Sequence, residues 1–154
     1  MSGPTTNVLL DYSVLLDYSS ETGSKRVRDY INRLDARTLH ISSVTVQEFE
    51  RNFTLLQDTL PIEAHRLDLC LDNIVVGHFG AMLLAFDAGA AHIWEEKFAG
   101  KTSRGKKPLP LLESMVAASA IQHDLTVVTW NMAAYKPLGV PVYNPWTGTL
   151  SEPT

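Results

Sequence analysis

The sequence predicts an α/β domain of three layers (α/β/α), in which helices cover both faces of a central, mainly parallel sheet of four to five strands. Short apolar runs alternate with amphipathic stretches along 154 residues, a length typical of one domain. The first run, Val8–Leu10, is apolar throughout, as expected for a strand buried on both faces. With 45% hydrophobic and 19% charged residues, the chain can form a packed core.

The elements near the start of the chain are a strand, a helix and a second strand. Residues 1–6 are mostly polar, so we expect a loose N-terminal end ahead of a domain that spans 7–147. Apolar residues spaced i, i+3, i+4 and i+7 predict a helix over 24–34, with Ser24 at its N-cap. A short strand over 38–41 follows this helix.

The middle of the chain predicts two further helices. Either Ser42 or Ser43 is placed to cap a helix over 43–56. Pro61 suits the first turn of the next helix, which we expect to extend to about Phe79.

The second half of the chain repeats the alternation. Asp87 is predicted to be the N-cap of the helix that follows it, since its side chain can accept a hydrogen bond from a free backbone amide. The other predicted elements are a strand over 82–86, a helix over 111–123, strands over 125–129 and 140–143, and a C-terminal tail over 148–154.

Composition excludes several classes of protein. The single Cys70 excludes an internal disulfide and a cysteine-based metal site, which is typical of the reducing cytoplasm. No apolar run is long enough to span a membrane and no basic leader is present, so we expect a cytoplasmic protein with no membrane partner. A net charge of −4 means that any polyanion must be bound by a local patch or a metal ion.

The hexapeptide VLLDYS occurs twice in tandem, at 8–13 and 14–19. Each copy offers an aspartate at the same place. Asp17 runs into polar sequence that predicts a loop, whereas Asp11 has apolar residues on both sides. We therefore predict that Asp11 is the functional aspartate, at the carboxyl end of the first strand.

Three carboxylates fall where a parallel sheet places its binding sites. Asp11 ends the first strand, Glu48 lies early in the helix after the second strand, and Glu113 opens a helix that is apolar almost all round. Asn131 follows a later strand and reaches the same edge of the sheet. Carboxylate and amide oxygens are hard ligands, so this set predicts a site for Mg²⁺ or Mn²⁺.

Several motifs resemble those of PIN-domain proteins of the VapC/FitB type. In that family an acid stands four positions before paired alanines, as Glu113 does here, and a later strand ends in Thr-x-Asn, as in Thr129-Trp130-Asn131. The family's first motif matches the segment that starts at Asp11, and its Thr-x-x-Glu motif matches Thr45 to Glu48. The resemblance extends from Val8 to Trp146, and the segments around Glu113 and Thr129 are the most specific.

The resemblance implies a Mg²⁺- or Mn²⁺-dependent endoribonuclease that is the toxin of a toxin–antitoxin pair. It implies RNA as substrate, a cognate antitoxin as partner, and a homodimer. The implied metal ligands are Asp11, Glu48 and Glu113, with Asn131 as a fourth catalytic residue. The residues implied to orient ligands and water around them are Ser13, Thr45 and Thr129.

The chain departs from the family pattern at two positions. Tyr12 replaces a small threonine, which adds bulk beside the site, and Glu113 replaces the usual aspartate, which extends the carboxylate by one methylene. A PIN fold that binds a partner but has lost catalysis is therefore the alternative. A phosphoryl-transfer domain with Asp11 as nucleophile is less well supported, because a dehalogenase-like site requires an aspartate where Ser13 stands.

Basic residues that could contact RNA phosphates occur in two places, although each is more commonly an ordinary surface charge. A basic loop over 101–107 immediately precedes the helix of Glu113 and is the better group. The predicted RNA contacts are Lys25, Arg26, Arg104, Lys106 and Lys107.

Overall fold

A computed structural model describes residues 3–5, 7–77, 82–101 and 109–153, without the side chains of 74–76 and 101. The strands are β1 Val8–Leu10, β2 Leu39–Ser42, β3 Leu83–Leu84, β4 Thr126–Val128, β5 Val142–Asn144 and β6 Thr149–Ser151. The helices are α1 Tyr12–Ser19, α2 Lys25–Arg33, α3 Ser43–Leu56, α4 Pro61–Cys70, α5 Ala88–Lys97, α6 Leu111–His123 and α7 Met132–Tyr135. None of the helices in this described part of the chain is long and apolar enough to cross a membrane.

The sheet has the strand order β3-β2-β1-β4-β5-β6, and every neighbouring pair is parallel except β5 and β6. This confirms the predicted α/β fold with a mainly parallel central sheet. The sheet has six strands rather than four to five, because Thr149–Ser151 inside the predicted tail pairs antiparallel with β5. This strand escaped prediction because it is a short edge strand with an exposed Leu150 and no apolar alternation.

Alternating side chains of β1 divide the core into two clusters. Val8 and Leu10 pack with residues of α1, α2, α3 and α4. Leu9 packs on the other face of the sheet, with residues of α6 and the segment after α7. All three side chains are fully buried, as expected for the central strand of a sheet that is covered on both faces.

Three local expectations need correction. The N-terminal end was predicted to be loose, but at Pro4 it is bound to the domain. The Pro4 carbonyl accepts a hydrogen bond from the Tyr30 hydroxyl at 2.6 Å. Asp17 lies within α1 rather than in a loop, and its carboxylate accepts a hydrogen bond from the Ser24 backbone amide. The helix that begins at Pro61 continues beyond α4 as a π-helical turn over 71–76, and its predicted end at Phe79 lies outside the described residues.

The strand order creates a switch point beside β1. The chain moves from β1 to β2 on one side, and β4 later pairs with β1 on the other side. In open α/β sheets ligands bind in the crevice outside the carboxyl ends of the strands at such a point. Asp11 and Thr129 directly follow the two strands that meet there.

Helix capping differs between the two predicted N-cap serines. The Ser42 hydroxyl is buried and accepts a hydrogen bond from the Val44 backbone amide, which fixes the start of α3. Ser24 holds the N-cap position of α2, but its side chain makes no capping hydrogen bond. The capping contribution of a serine depends on that bond, so the two positions should respond differently to alanine.

We expect Ser42→Ala to lower the free energy of unfolding by about 1 kcal/mol, because α3 loses its cap and a buried amide loses its partner. Ser24→Ala is the matched control and should cost only a few tenths of that amount. Urea denaturation of the two variants measures both values. Equal losses would show that the Ser42 hydrogen bond does not stabilise α3.

Candidate active site

The site begins with Asp11, which is only 7% exposed and forms the N-cap of α1. Its Oδ1 accepts hydrogen bonds from the Ser13 hydroxyl at 2.6 Å and from the Val14 backbone amide at 3.3 Å. Its Oδ2 accepts a short hydrogen bond from the Thr129 hydroxyl. A buried carboxylate with these donors is held in one orientation at the tip of β1.

The segment after β4 completes this hydrogen-bond network. The Thr129 hydroxyl accepts a hydrogen bond from the Asn131 backbone amide at 2.9 Å, and the Trp130 backbone amide donates to the Ser13 hydroxyl at 3.1 Å. Ser13 and Thr129 therefore orient Asp11. The Asn131 side chain is exposed at the same edge and makes no hydrogen bond within the described part of the chain.

Glu48 and Glu113 approach Asp11 from two helices that pack against each other, α3 and α6. Both side chains are partly buried. Burial, and then the charges of Asp11 and Glu113, raise the pKa of Glu48 from 4.5 to about 7, while Arg51 opposes the shift. Glu48 therefore lies within electrostatic range of both other predicted acids.

Helix α6 provides a favourable position for an acid. It starts after Pro110 without a side-chain cap, so its first backbone amides lack a side-chain partner. Glu113 lies in this first turn, where the helix dipole favours a negative charge.

Burial raises the pKa of Asp11 from 3.8 to about 6, although the hydroxyls of Ser13 and Thr129 act in the opposite direction. Among the described residues, no lysine, arginine or histidine forms an ion pair with Asp11, Glu48 or Glu113. Apart from the opposing charge of Arg51, which forms no ion pair with Glu48 among the described residues, the cluster thus holds acids that repel one another, and proton uptake or a bound cation relieves such repulsion.

Tyr135 is a site residue that the sequence analysis missed. It is buried at the end of α7, and burial raises the pKa of its phenol well above 10.0. The charges of Asp11, Glu113 and Glu48 add to this shift, so the phenol lies near all three acids. The sequence offered one indication of this role, because Tyr135 stands only four residues after Asn131. The segment MAAY, which ends at Tyr135, predicted only a short turn or helix.

Tyr12, the bulky replacement in the first motif, turns away toward α3. Its ring packs on Phe49 with centroids 4.5 Å apart, and its hydroxyl lies in hydrogen-bonding contact with Asn52. Burial raises the pKa of this hydroxyl, and the charge of Glu48 adds to the shift. The extra bulk is therefore accommodated by packing between α1 and α3.

The carboxylate oxygens of the cluster are suitable ligands for a hard divalent cation. The three acids do not, however, converge on one point as direct ligands of a single ion. Within the described ranges, no three His, Cys, Asp or Glu side chains are close enough to hold a metal ion. Mg²⁺ is commonly held by one or two carboxylates and keeps several waters, so the acid cluster suits it without full convergence. The Thr45 hydroxyl, which lies one helical turn before Glu48, is buried and has no hydrogen-bond partner among the residues that the structure describes.

The structure describes the surroundings of two of the five predicted RNA contacts. Lys25 is paired with Asp29 at 2.6 Å on the exposed face of α2. Arg26 lines a surface cavity of about 530 Å³ together with Arg33 and Tyr143. The other three predicted contacts lie outside the described residues: Arg104, Lys106 and Lys107.

The fold and the site define a class: an α/β domain with an acidic cluster at the sheet's switch point. A family model described as "PIN domain" matches residues 8–133, and the chain belongs to this family. It is 27% identical to toxin FitB of Neisseria gonorrhoeae over 90% of this chain and 98% of that protein. It is 23% identical to a VapC ribonuclease of Sinorhizobium fredii over 90% of this chain and 97% of that protein.

Solved structures agree with this assignment. The crystal structure of FitAcB from Neisseria gonorrhoeae superposes with a TM-score of 0.75 at 27% identity, covering 90% of this chain and 98% of that one. DNA-bound VapBC from Salmonella typhimurium shares the fold, with a TM-score of 0.68 at 20% identity, over 91% of this chain and 98% of that one.

The raised pKa of Asp11 predicts a pH-dependent stability in metal-free buffer. The folded state holds the Asp11 proton more tightly than the unfolded state, so the free energy of unfolding falls as pH rises from about 4 to about 7. Asp11→Asn removes the ionisable group, so the free energy of unfolding no longer falls with pH for this reason. Asparagine is also a good N-cap residue, so the start of α1 is preserved. The substitution should raise the free energy of unfolding at about pH 8 by about 1 to 3 kcal/mol, with no gain near pH 4.

Asp87→Asn is the matched control, because Asp87 also caps a helix by accepting a hydrogen bond from the Ala90 backbone amide. That hydrogen bond lowers the pKa of Asp87, so its charge is stabilising and its removal should bring no gain at high pH. Denaturant titrations at both pH values compare the variants. A large loss for Asp11→Asn at about pH 8 would show that the charge of Asp11 is structural.

Proposed function

We propose that the chain is a Mg²⁺- or Mn²⁺-dependent endoribonuclease and the toxin of a VapBC-type toxin–antitoxin pair. The observation that carries the proposal is the cluster of Asp11, Glu48 and Glu113 at the switch point, where negative charge has no ion pair among the described residues. The relative named VapC ribonuclease supports the activity, and the relative named toxin FitB supports the role of a toxin.

In this proposal Asp11, Glu48 and Glu113 hold the cation, directly or through water. When bound, the cation supplies charge neutralisation for the RNA phosphodiester and activation of water. Ser13 and Thr129 fix the direction of the Asp11 carboxylate by donating hydrogen bonds to it. Asn131 presents an exposed amide at the same edge, where it orients substrate or water.

Tyr135 contributes a neutral phenol to the mechanism. Because the pKa of Tyr135 is raised, the group keeps its proton beside three acids. It therefore adds no further negative charge to a site that must accept an anionic RNA backbone.

The partners are proposed from the neighbouring structures and the exposed surface. A structure with this fold from Klebsiella pneumoniae is described as a toxin–antitoxin complex, and an antitoxin is the expected partner here. Exposed aliphatic side chains on α3, α4 and their connection offer an apolar surface for it. These side chains are Leu55, Leu60, Ile62 and Leu69. We also propose a homodimer and a cytoplasmic location.

A second candidate function is a PIN-fold binding protein that no longer cleaves RNA. The observation in its favour is that no three described acids form a ready metal site. Thermal shift with Mn²⁺ separates the two proposals. A catalytic site should bind Mn²⁺ and raise Tm in the wild type, with a smaller rise for Glu48→Gln. No shift in either protein would favour the binding protein.

We expect the wild type to cleave single-stranded RNA with Mg²⁺ or Mn²⁺, and EDTA to abolish the cleavage. Asp11→Asn should slow cleavage on the order of 100-fold or more, because the site loses one of its charged groups. Asp17→Asn is the matched control from the second hexapeptide copy and should change the rate less than about 2-fold, since among the described residues the Asp17 carboxylate accepts a hydrogen bond only from the Ser24 backbone amide. Gel assays with end-labelled RNA give the rates. Activity that survives chelation would exclude the metal mechanism.

Glu113→Asp tests whether the extra methylene of Glu113, compared with the usual aspartate, lowers the activity of the site. If the carboxylate works at aspartate length, the variant should keep or raise the cleavage rate, because α6 still presents an acid in its first turn. Glu113→Gln removes the charge and serves as the inactive comparison. Single-turnover rates decide the question, and an inactive aspartate variant would show that the site requires glutamate.

A further inference from the structure

Trp130 is a tryptophan that the proposed mechanism does not use. Its side chain is 59% exposed, and it is the single aromatic residue among the exposed large hydrophobic side chains of the described part. It lies between Thr129 and Asn131, in the segment that links β4 to α7. Exposing the apolar surface of a tryptophan ring to water is unfavourable, and a ligand that covers the ring removes this cost.

Two contacts hold Trp130 in place. Its backbone amide donates to the Ser13 hydroxyl, and Ser13 in turn donates to Asp11, so the residue is two hydrogen bonds from the central carboxylate. Its indole meets the ring of Trp146 edge to face, with centroids 5.3 Å apart and an angle of 80° between the planes. Trp146 is itself packed on the core and fixed by its amide to Asn144, so the Trp130 ring is supported before any ligand arrives.

A cavity lined in part by arginines adjoins the residue that precedes Trp146. Pro145, next to Trp146, lines the cavity of about 530 Å³ that also contains Arg26 and Arg33. Asp29 lines it too, although its carboxylate is paired with Lys25. Single-stranded nucleic acids bind surfaces that combine aromatic faces with basic residues along the backbone.

We propose that Trp130, supported by Trp146, stacks on a base of single-stranded RNA beside the scissile phosphodiester, and that the strand continues toward the Arg26–Arg33 cavity. This inference rests on the proposed ribonuclease function. The aliphatic surface of α3 and α4 is a separate, apolar surface on other elements, whereas Trp130 is linked to Asp11 through Ser13 and contacts Trp146. The residue thus selects unpaired bases, since a base within a duplex cannot offer its face.

The test uses a fluorescent random-sequence RNA dodecamer and the Asp11→Asn background with Mg²⁺, so that binding is measured without cleavage. Trp130→Ala should weaken binding on the order of 10-fold, and Trp130→Phe should retain most of it, because a phenyl ring also stacks. Leu83→Ala is the control, since Leu83 is 42% exposed but lies on β3, to which no binding role is assigned. An abasic dodecamer should bind the unsubstituted background weakly and lose nothing further with Trp130→Ala.

The outcomes separate this inference from the proposed function. Equal RNA affinity with and without the Trp130 side chain overturns the stacking role, even if the wild type cleaves RNA. The stacking role is also overturned if Trp130→Ala weakens binding of the abasic dodecamer as much as binding of the intact one, or if it impairs only the binding of a protein partner. Failure of the Asp11→Asn protein to bind RNA at all overturns it too. RNA affinity that depends on Trp130 in a protein that cuts nothing supports the stacking role and contradicts the nuclease.

Discussion

The parallel pairing of β1 with β4 is the constraint on which the site depends. The register places Leu10 opposite Val128, and the Asp11 backbone amide donates to the Val128 carbonyl at 3.1 Å. The next residues, Asp11 and Thr129, therefore leave the sheet side by side, which allows their side chains to form a hydrogen bond. A slip of one residue would turn these side chains to opposite faces of the sheet and separate them.

The same pairing places Asp11 where its charge is costly. Burial raises its pKa, and its hydrogen bonds to hydroxyls and a backbone amide recover only part of the lost solvation. The charged form of Glu48 is destabilised as well, because burial and the neighbouring acids raise its pKa. Perturbed carboxyl groups of this kind cluster at functional sites, where stability is given up for reactivity or cation binding.

The sequence predicted most of the fold because its signals were strong and local. The fully apolar Val8–Leu10, the cap at Asp87 and the helix over 111–123 each depend on a few neighbouring residues. The edge strand β6 and the position of Tyr135 depend on pairing and packing with distant parts of the chain, which no local pattern encodes. The three acids could be selected from spacing and family resemblance, but their actual separation is set by how α3 and α6 pack.

The tandem hexapeptide shows that topology, rather than local sequence, gives an aspartate its chemistry. Asp11 and Asp17 have identical neighbours within VLLDYS, and both accept backbone hydrogen bonds. Asp11 follows a central strand, so it is buried at a switch point and faces acids from two other elements. Asp17 lies six residues further along the chain, within α1, and among the described residues its carboxylate accepts only the hydrogen bond that joins α1 to the start of α2. The same six residues thus give a candidate catalytic group in one copy and a structural helix connection in the other.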